Sequence, residues 1–335
     1  MSTTHHTGVE EPLDTTIARL IMTQHTSRLS PSYQPLIGIP ATPAPLAESG
    51  WPMMSADRAC IEGVMAAGGD VRLLPYRLRV SQEDALEEAL HVVLSCDGLL
   101  FPGSDSVVDA RHYGQEQLTG SASDPLLDQW LMLLMLAARA TLTPVFGIDG
   151  GAERLNDALG GTMHHQSHGW MANALAAPAW VRQTLLLDSD TLERCLRGAS
   201  YIPPDDDVLA LAEHSIWCLH HQSPERVAPA LTAWGWTDDV MKGFGYTGPQ
   251  PWFALGTLFH PEVDAQEPLS GFLLTAFLVA CRAYASSAHH ALKAPSLRKR
   301  ILHHLSADPL VRRVLYGSSH RSPDRDGAAT ASSTW

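Results

Sequence analysis

The feature that most constrains this chain is a regular exchange between short apolar runs and helical patterns from about residue 35 to residue 148. Apolar runs at 36–40, 71–75, 98–101 and 144–148 have the length of strands and end in Gly or Pro punctuation. Helices are predicted between them over 55–68, ending at Gly68-Gly69, over 81–93 with Ser81 as N-cap, and over 124–140, opened by Asp124-Pro125. Strands of four to six residues that alternate with helices predict an α/β fold, a parallel sheet covered on both faces. After about residue 172 the pattern loosens, and pieces at 216–219, 233–237 and 253–258 predict antiparallel additions to that sheet. No internal repeat or linker interrupts the chain, so a single domain is expected within its 335 residues.

The ends read differently. Residues 1–34 lack sustained periodicity and are expected to form a partly flexible extension, 286–316 a C-terminal helical addition, and 317–335 a disordered tail of Ser, Asp, Ala and Gly. With 23 Lys plus Arg against 36 Asp plus Glu, the net charge of −13 argues against nucleic acid and anionic membranes as partners. Arg298, Lys299, Arg300, Arg312 and Arg313 form the one basic stretch, on an amphipathic pattern with Leu297, Ile301, Leu305 and Leu310 inward, which reads as a solvated helix face. Cys60, Cys96, Cys195, Cys218 and Cys281 are odd in number and scattered, so neither a disulfide framework nor a zinc cluster is expected. The apolar runs at 130–138 and 271–281 fall short of the ~20 residues that span a bilayer, and a cytoplasmic location is expected.

The segment that carries chemistry is Pro144-Val-Phe-Gly147-Ile-Asp149-Gly150-Gly151-Ala-Glu153. An apolar strand runs into small residues and then a helical pattern, with glycines two before and two after Asp149. This is the spacing of a nucleophile elbow, in which glycines admit neighbouring backbone and the helix N-terminus offers N–H groups to developing negative charge. Asp149 as a simple helix cap is the competing reading. Downstream, Trp252-Phe-Ala-Leu-Gly256-Thr-Leu-Phe-His260-Pro261-Glu262 delivers a histidine at a strand end, with a carboxylate two residues on that orients its ring.

Together these residues resemble the class I glutamine amidotransferase-like hydrolases, and within them the γ-glutamyl-γ-aminobutyrate hydrolase (peptidase C26) group. The resemblance covers about residues 35–285 and rests on Pro35-Leu-Ile-Gly-Ile39, Ala66-Ala-Gly-Gly69 with Leu73-Leu-Pro75, and Asp97-Gly-Leu-Leu-Phe-Pro-Gly103. It continues through Tyr113-Gly114, Asp124-Pro125, the elbow, Leu159-Gly-Gly-Thr162, His220-His-Gln222 and Leu255-Gly256 before His260-Pro-Glu262. It implies a flavodoxin-like three-layer sandwich with a mostly parallel central sheet, and a site at residues 149, 260 and 262. The backbone of the Gly103-Ser104 loop and of Gly150 would form an oxyanion hole, and Glu153, His221 and Gln222 would lie nearby.

The elbow departs from that family. Where the family carries G-I-C-R-G-x-Q, this chain has Gly147-Ile-Asp149-Gly150-Gly151-Ala-Glu153, so the thiol, the arginine after it and the glutamine are all replaced. A carboxylate attacking an amide would form an anhydride and expel an amine, so ordinary glutaminase chemistry is not expected. Three readings stand. Asp149, His260 and Glu262 form an assembly for acid–base or carboxylate-nucleophile chemistry on a small amide- or amino-acid-derived metabolite. Alternatively, the chain is an inactive relative that binds a ligand or partner protein. As a third, Asp149 activates water for amide hydrolysis. The expected partner is a small molecule, with homodimerisation left open and no cofactor. His164-His165 and His220-His221 lack metal-ligand spacing, and Trp170, Trp217 and Trp252 read first as packing residues.

Overall fold

The computed structural model describes residues 13–23, 33–45, 51–76, 82–104, 106–116, 123–164, 180–197, 206–219, 223–238, 240–287, 292 and 294–317. Along the chain the strands are β1 (Leu36–Pro40), β2 (Thr42–Pro45), β3 (Pro52–Ser55), β4 (Asp70–Leu74), β5 (Gly98–Phe101), β6 (Val145–Ile148) and β7 (Thr162–Met163). They continue as β8 (Val181–Leu187), β9 (Glu213–Cys218), β10 (Pro224–Arg226), β11 (Leu231–Thr237), β12 (Val240–Tyr246) and β13 (Ala254–Thr257). Nine of them form one sheet in the order β4-β1-β5-β6-β13-β12-β11-β8-β9. The first five pair in parallel and the rest antiparallel. By chain position the parallel half runs 2-1-3-4-5, the doubly wound order of flavodoxin-like sheets.

Side chains alternate across this sheet. Leu99, Phe101 and Val145 enter a core with the helices Gln82–Val93, Pro125–Thr141 and Gly150–Ala158. Ile37, Ile39, Leu100, Phe146 and Ile148 enter a second core with Arg58–Ala66 and Pro268–Ser287. Strands covered on both faces need near-continuous apolar runs, and β5, β6 and β13 are buried at every position. The three-layer sandwich is therefore the observed architecture.

Several local expectations are corrected. The piece at 253–258 is not an antiparallel addition, because β13 pairs in parallel with β6 from Ala254↔Val145 to Thr257↔Ile148. An apolar run records burial but not direction. Ser55 ends strand β3 instead of opening a helix, and Asp57 caps the helix Arg58–Ala66 through Ala59 N–H at 2.7 Å. Ser81 and the tail beyond Gly317 lie outside the described residues. In the N-terminal extension Leu13–Thr23 is a helix whose Ile17 is 1% exposed, a burial made by tertiary contact and invisible as periodicity. The basic face is also partly structural: Arg313 pairs with buried Asp157 at 2.8 Å, and Arg298 with Glu87 at 3.3 Å.

Helix Pro268–Ser287 is longer than the apolar run suggested, and its 20 residues are long and apolar enough to cross a membrane by length and composition. Its side chains instead fill the second core, where Phe277 meets Phe146 with ring centroids 5.8 Å apart and Phe253 at 6.0 Å.

Candidate functional site

Ligands of doubly wound sheets bind beyond the carboxyl ends of the parallel strands. Here those ends carry Thr42 after β1, the Gly103-Ser104 loop after β5, Asp149 after β6 and His260 after β13. Thr42, Gly103, Ser104, Asp149 and His260 all line one cavity of about 530 Å³. The β2–β3 hairpin contributes Pro43, Ala44 and Ser55 to its wall, with Asp57 beside it. Ser106, Ser123, Asp124, Leu127, Trp180 and Leu219 complete it.

The elbow is held by steric necessity. Asp149 has φ 49° and ψ −116°, a left-handed conformation that costs a non-glycine residue about 1–3 kcal/mol. Its N–H bonds Thr257 O at 2.7 Å, tying the turn to β13. A Cβ at Gly147 would lie 2.8 Å from the Gly151 carbonyl, and one at Gly151 would lie 2.1 Å from Phe101 O. Both flanking glycines are therefore required by close backbone approach. The Asp149 side chain makes no capping hydrogen bond to its helix, which removes the helix-cap reading.

Asp149 and His260 converge on Gly103. A Cβ there would sit 2.9 Å from Asp149 Oδ2 and 3.5 Å from His260 Cε1. His260 is 7% exposed; its Nδ1 meets Glu262 Oε1 at 2.7 Å and its Nε2 meets Leu219 O at 3.2 Å. Burial alone would lower the ring's pKa. The hydrogen bond and charge of Glu262, the charge of Asp149 and the Leu219 carbonyl outweigh it and raise the value to about 9. With an acceptor at each nitrogen, the protonated form of the His260 ring is the favoured one. Glu262 Oε2 is buried without a hydrogen-bond partner among the described residues.

The remaining expected residues separate. Gly103 and Ser104 line the cavity. Gly150 opens the elbow helix, and its N–H precedes the first intrahelical bond, which Glu153 N–H donates to Asp149 O at 3.0 Å. Glu153 is buried at 3% exposure in that turn and is not part of the cavity lining. His221 and Gln222 lie outside the described residues, as do His165, His220 and Trp170. Trp252 is a core residue, its Nε1 donating to Thr143 O at 2.8 Å, and Trp217 lies under the Arg182 guanidinium. All five cysteines are buried, and none lines the cavity. Burial pushes the Cys218 thiol up, and the Asp149 charge adds to that against Lys242, so it is no substitute nucleophile.

Three participants were missed. Trp180 packs edge-on against His260 with ring centroids 4.7 Å apart. Lys242 is 2% exposed, and burial holds its ammonium below the ordinary lysine range, with nearby Cys218 and Asp149 acting in the other direction. Arg154 is fully buried and joins the elbow helix to Asp128, Ser104 and Ser106. Its i,i+4 position from Gly150 is the signal in the sequence that could have revealed it.

The family described as peptidase C26 matches residues 35–262 of the chain. The γ-glutamyl-γ-aminobutyrate hydrolase of Escherichia coli (strain K12) is 27% identical over 234 residues, covering 66% of this chain and 84% of its own length. A protein of Mycobacterium tuberculosis (strain ATCC 25618 / H37Rv) assigned as a glutamine amidotransferase is 27% identical over 207 residues, 60% of each chain. A solved structure from Thermoplasma acidophilum, assigned as part of a GMP synthase, superposes with a TM-score of 0.47 at 15% identity, covering 76% of this chain and 97% of that one.

Proposed function

The chain belongs to the peptidase C26 family, and from that premise we propose that it is a divergent glutamine amidotransferase-like or γ-glutamyl hydrolase-like enzyme using Asp149, His260 and Glu262. Its substrate in this reading is a small amide- or amino-acid-derived metabolite. Asp149 is the base, or the nucleophile toward a saturated carbon, and His260 is the acid. The observation that carries the reading is the setting of His260, hydrogen-bonded to Glu262 Oε1 at 2.7 Å and converging with Asp149 on Gly103. The ring's raised pKa of about 9 and its two acceptor-bound nitrogens give it a proton to deliver at neutral pH, beside a carboxylate able to take one. Glu262 orients the ring and stabilises its charge, while the N–H groups of the elbow turn and the Gly103 loop face developing negative charge.

One observation favours a second reading, in which the cavity binds without turnover. His260 Nε2 is directed at the Leu219 carbonyl, so its proton is already engaged.

A panel of γ-glutamyl amides and amino-acid-derived electrophiles, followed by mass spectrometry, tests the proposal. Turnover lost in both Asp149→Asn and His260→Ala is the expected result. Full turnover in both variants overturns it. Ligand-induced stabilisation with no turnover across the panel supports the binding reading.

A further inference from the structure

Gly150 directly follows Asp149 in the elbow, and the resemblance places an arginine there. Its backbone is not left-handed, since the positive-φ glycines among the described residues are Gly68, Gly114, Gly160 and Gly317. The missing side chain therefore serves space and not backbone freedom. A Cβ at Gly150 would lie 2.9 Å from Arg154 Nη1, 3.2 Å from Ser104 Oγ and 3.3 Å from Ser104 N. The Arg154 guanidinium occupies the volume a side chain at 150 would enter. One helical turn separates the two positions, which puts them on the same face of the elbow helix.

That guanidinium is fully engaged. Nη1 donates to Gly150 O at 3.0 Å and Ser104 Oγ at 3.2 Å, and Nη2 donates to Ser106 Oγ at 2.8 Å and Ser106 O at 3.1 Å. Nε donates to Asp128 Oδ1 at 2.8 Å, and both partners of that ion pair are fully buried. Asp128 in turn accepts from Asp109 N–H at 2.8 Å. The planar fork thus clamps the elbow helix, helix Pro125–Thr141 and the loop after β5 at a single point. Gly103, beside Asp149 Oδ2 and His260 Cε1, belongs to that loop.

The geometry points to Arg154 as the positioning residue that fills the space beside Gly150 and, by holding Ser104 and Ser106, fixes Gly103 against Asp149 and His260. Gly150 leaves open the space that the Arg154 guanidinium fills. The inference rests on the cavity being the working site and not on any particular substrate.

A double-mutant cycle between Gly150→Ala and Arg154→Ala, read by thermal melting and by the NMR resonance of His260 Cε1–H, tests it without substrate. Gly150→Ala alone is expected to lower Tm by a few degrees and shift the His260 resonance, because its Cβ displaces the guanidinium. In the Arg154→Ala background the same substitution is expected to cost clearly less, since its nearest contact is gone and only the Ser104 contacts at 3.2 and 3.3 Å remain. Methylguanidine added to Arg154→Ala is expected to move the resonance back toward its wild-type position, and urea is not. Should Arg154→Ala fail to fold, Gly150→Ala and Arg154→Lys carry the test, with a shifted His260 resonance expected in both. Additive losses of Tm with an unmoved His260 resonance overturn the proposal, as does a silent Gly150→Ala.

Discussion

His260 and Glu262 share a 2.7 Å hydrogen bond from Nδ1 to Oε1, and the opposite nitrogen of the same ring faces the Leu219 carbonyl at 3.2 Å. Two acceptors hold two protons. The ring of the wild-type protein is therefore expected to titrate near 9, measured by the imidazole resonances in a pH series. Glu262→Gln removes the charge and keeps the shape, so burial gains weight and the midpoint falls by more than a unit. A wild-type midpoint at or below the ordinary histidine value contradicts this account.

The same raised pKa dictates a direction for stability. The folded ring binds its proton more tightly than the unfolded one, so unfolding between about pH 6.5 and pH 9 releases a proton. The resulting stabilisation is fully present below the unfolded pKa and is lost as pH rises through the folded one. It amounts to about 3 kcal/mol at most, on a residue 7% exposed. Urea unfolding of wild type and His260→Gln should diverge at about pH 6 and converge above about pH 9. A gap that stays constant across that range counts against it.

Much of this site was readable because its determinants are local. The strands β5 and β6 announce themselves as apolar runs because both faces are buried, and the elbow glycines stand out because Phe101 and Gly151 backbone leave no room for a Cβ. Strand β12 was hidden for the opposite reason. Its sequence Val-Met-Lys-Gly-Phe-Gly-Tyr holds a lysine and two glycines, yet Lys242 is buried, Gly243 makes way for the Trp234 ring and Gly245 for Cys195. Those neighbours lie on other elements, the paired strand β11 and the helix Ser189–Arg197, and no pattern within β12 itself records them. Trp180 over His260 and Arg154 against Ser104 and Ser106 are likewise juxtapositions that only the fold creates.

Asp149 stores strain at the centre of the site, with φ 49° and ψ −116° and no capping bond to offset it. Glycine adopts that backbone freely, at the cost of a more flexible unfolded chain. Asp149→Gly is expected to gain roughly 1 kcal/mol in urea unfolding while losing the carboxylate. Asp149→Val, β-branched at the same φ, should lose more than that. Were Asp149→Gly less stable than wild type, the carboxylate would contribute more to folding than its backbone subtracts.

Two Gly→Ala substitutions separate close approach from backbone freedom. At Gly151 an added Cβ would sit 2.1 Å from Phe101 O and 2.7 Å from Phe101 C, both main-chain atoms of a central strand. Neither can yield without moving β5 away from the elbow helix, so Gly151→Ala is expected to cost on the order of 4 kcal/mol or more. At Gly114 φ is +80° and nothing lies within 4 Å of the added Cβ. Only the left-handed backbone resists there, and the cost is about 1 kcal/mol. Denaturant unfolding of the two variants side by side measures the difference. Equal losses would mean that the elbow tolerates separation of β5 from its helix, and that the close packing holding Asp149 in its strained turn is not what fixes it.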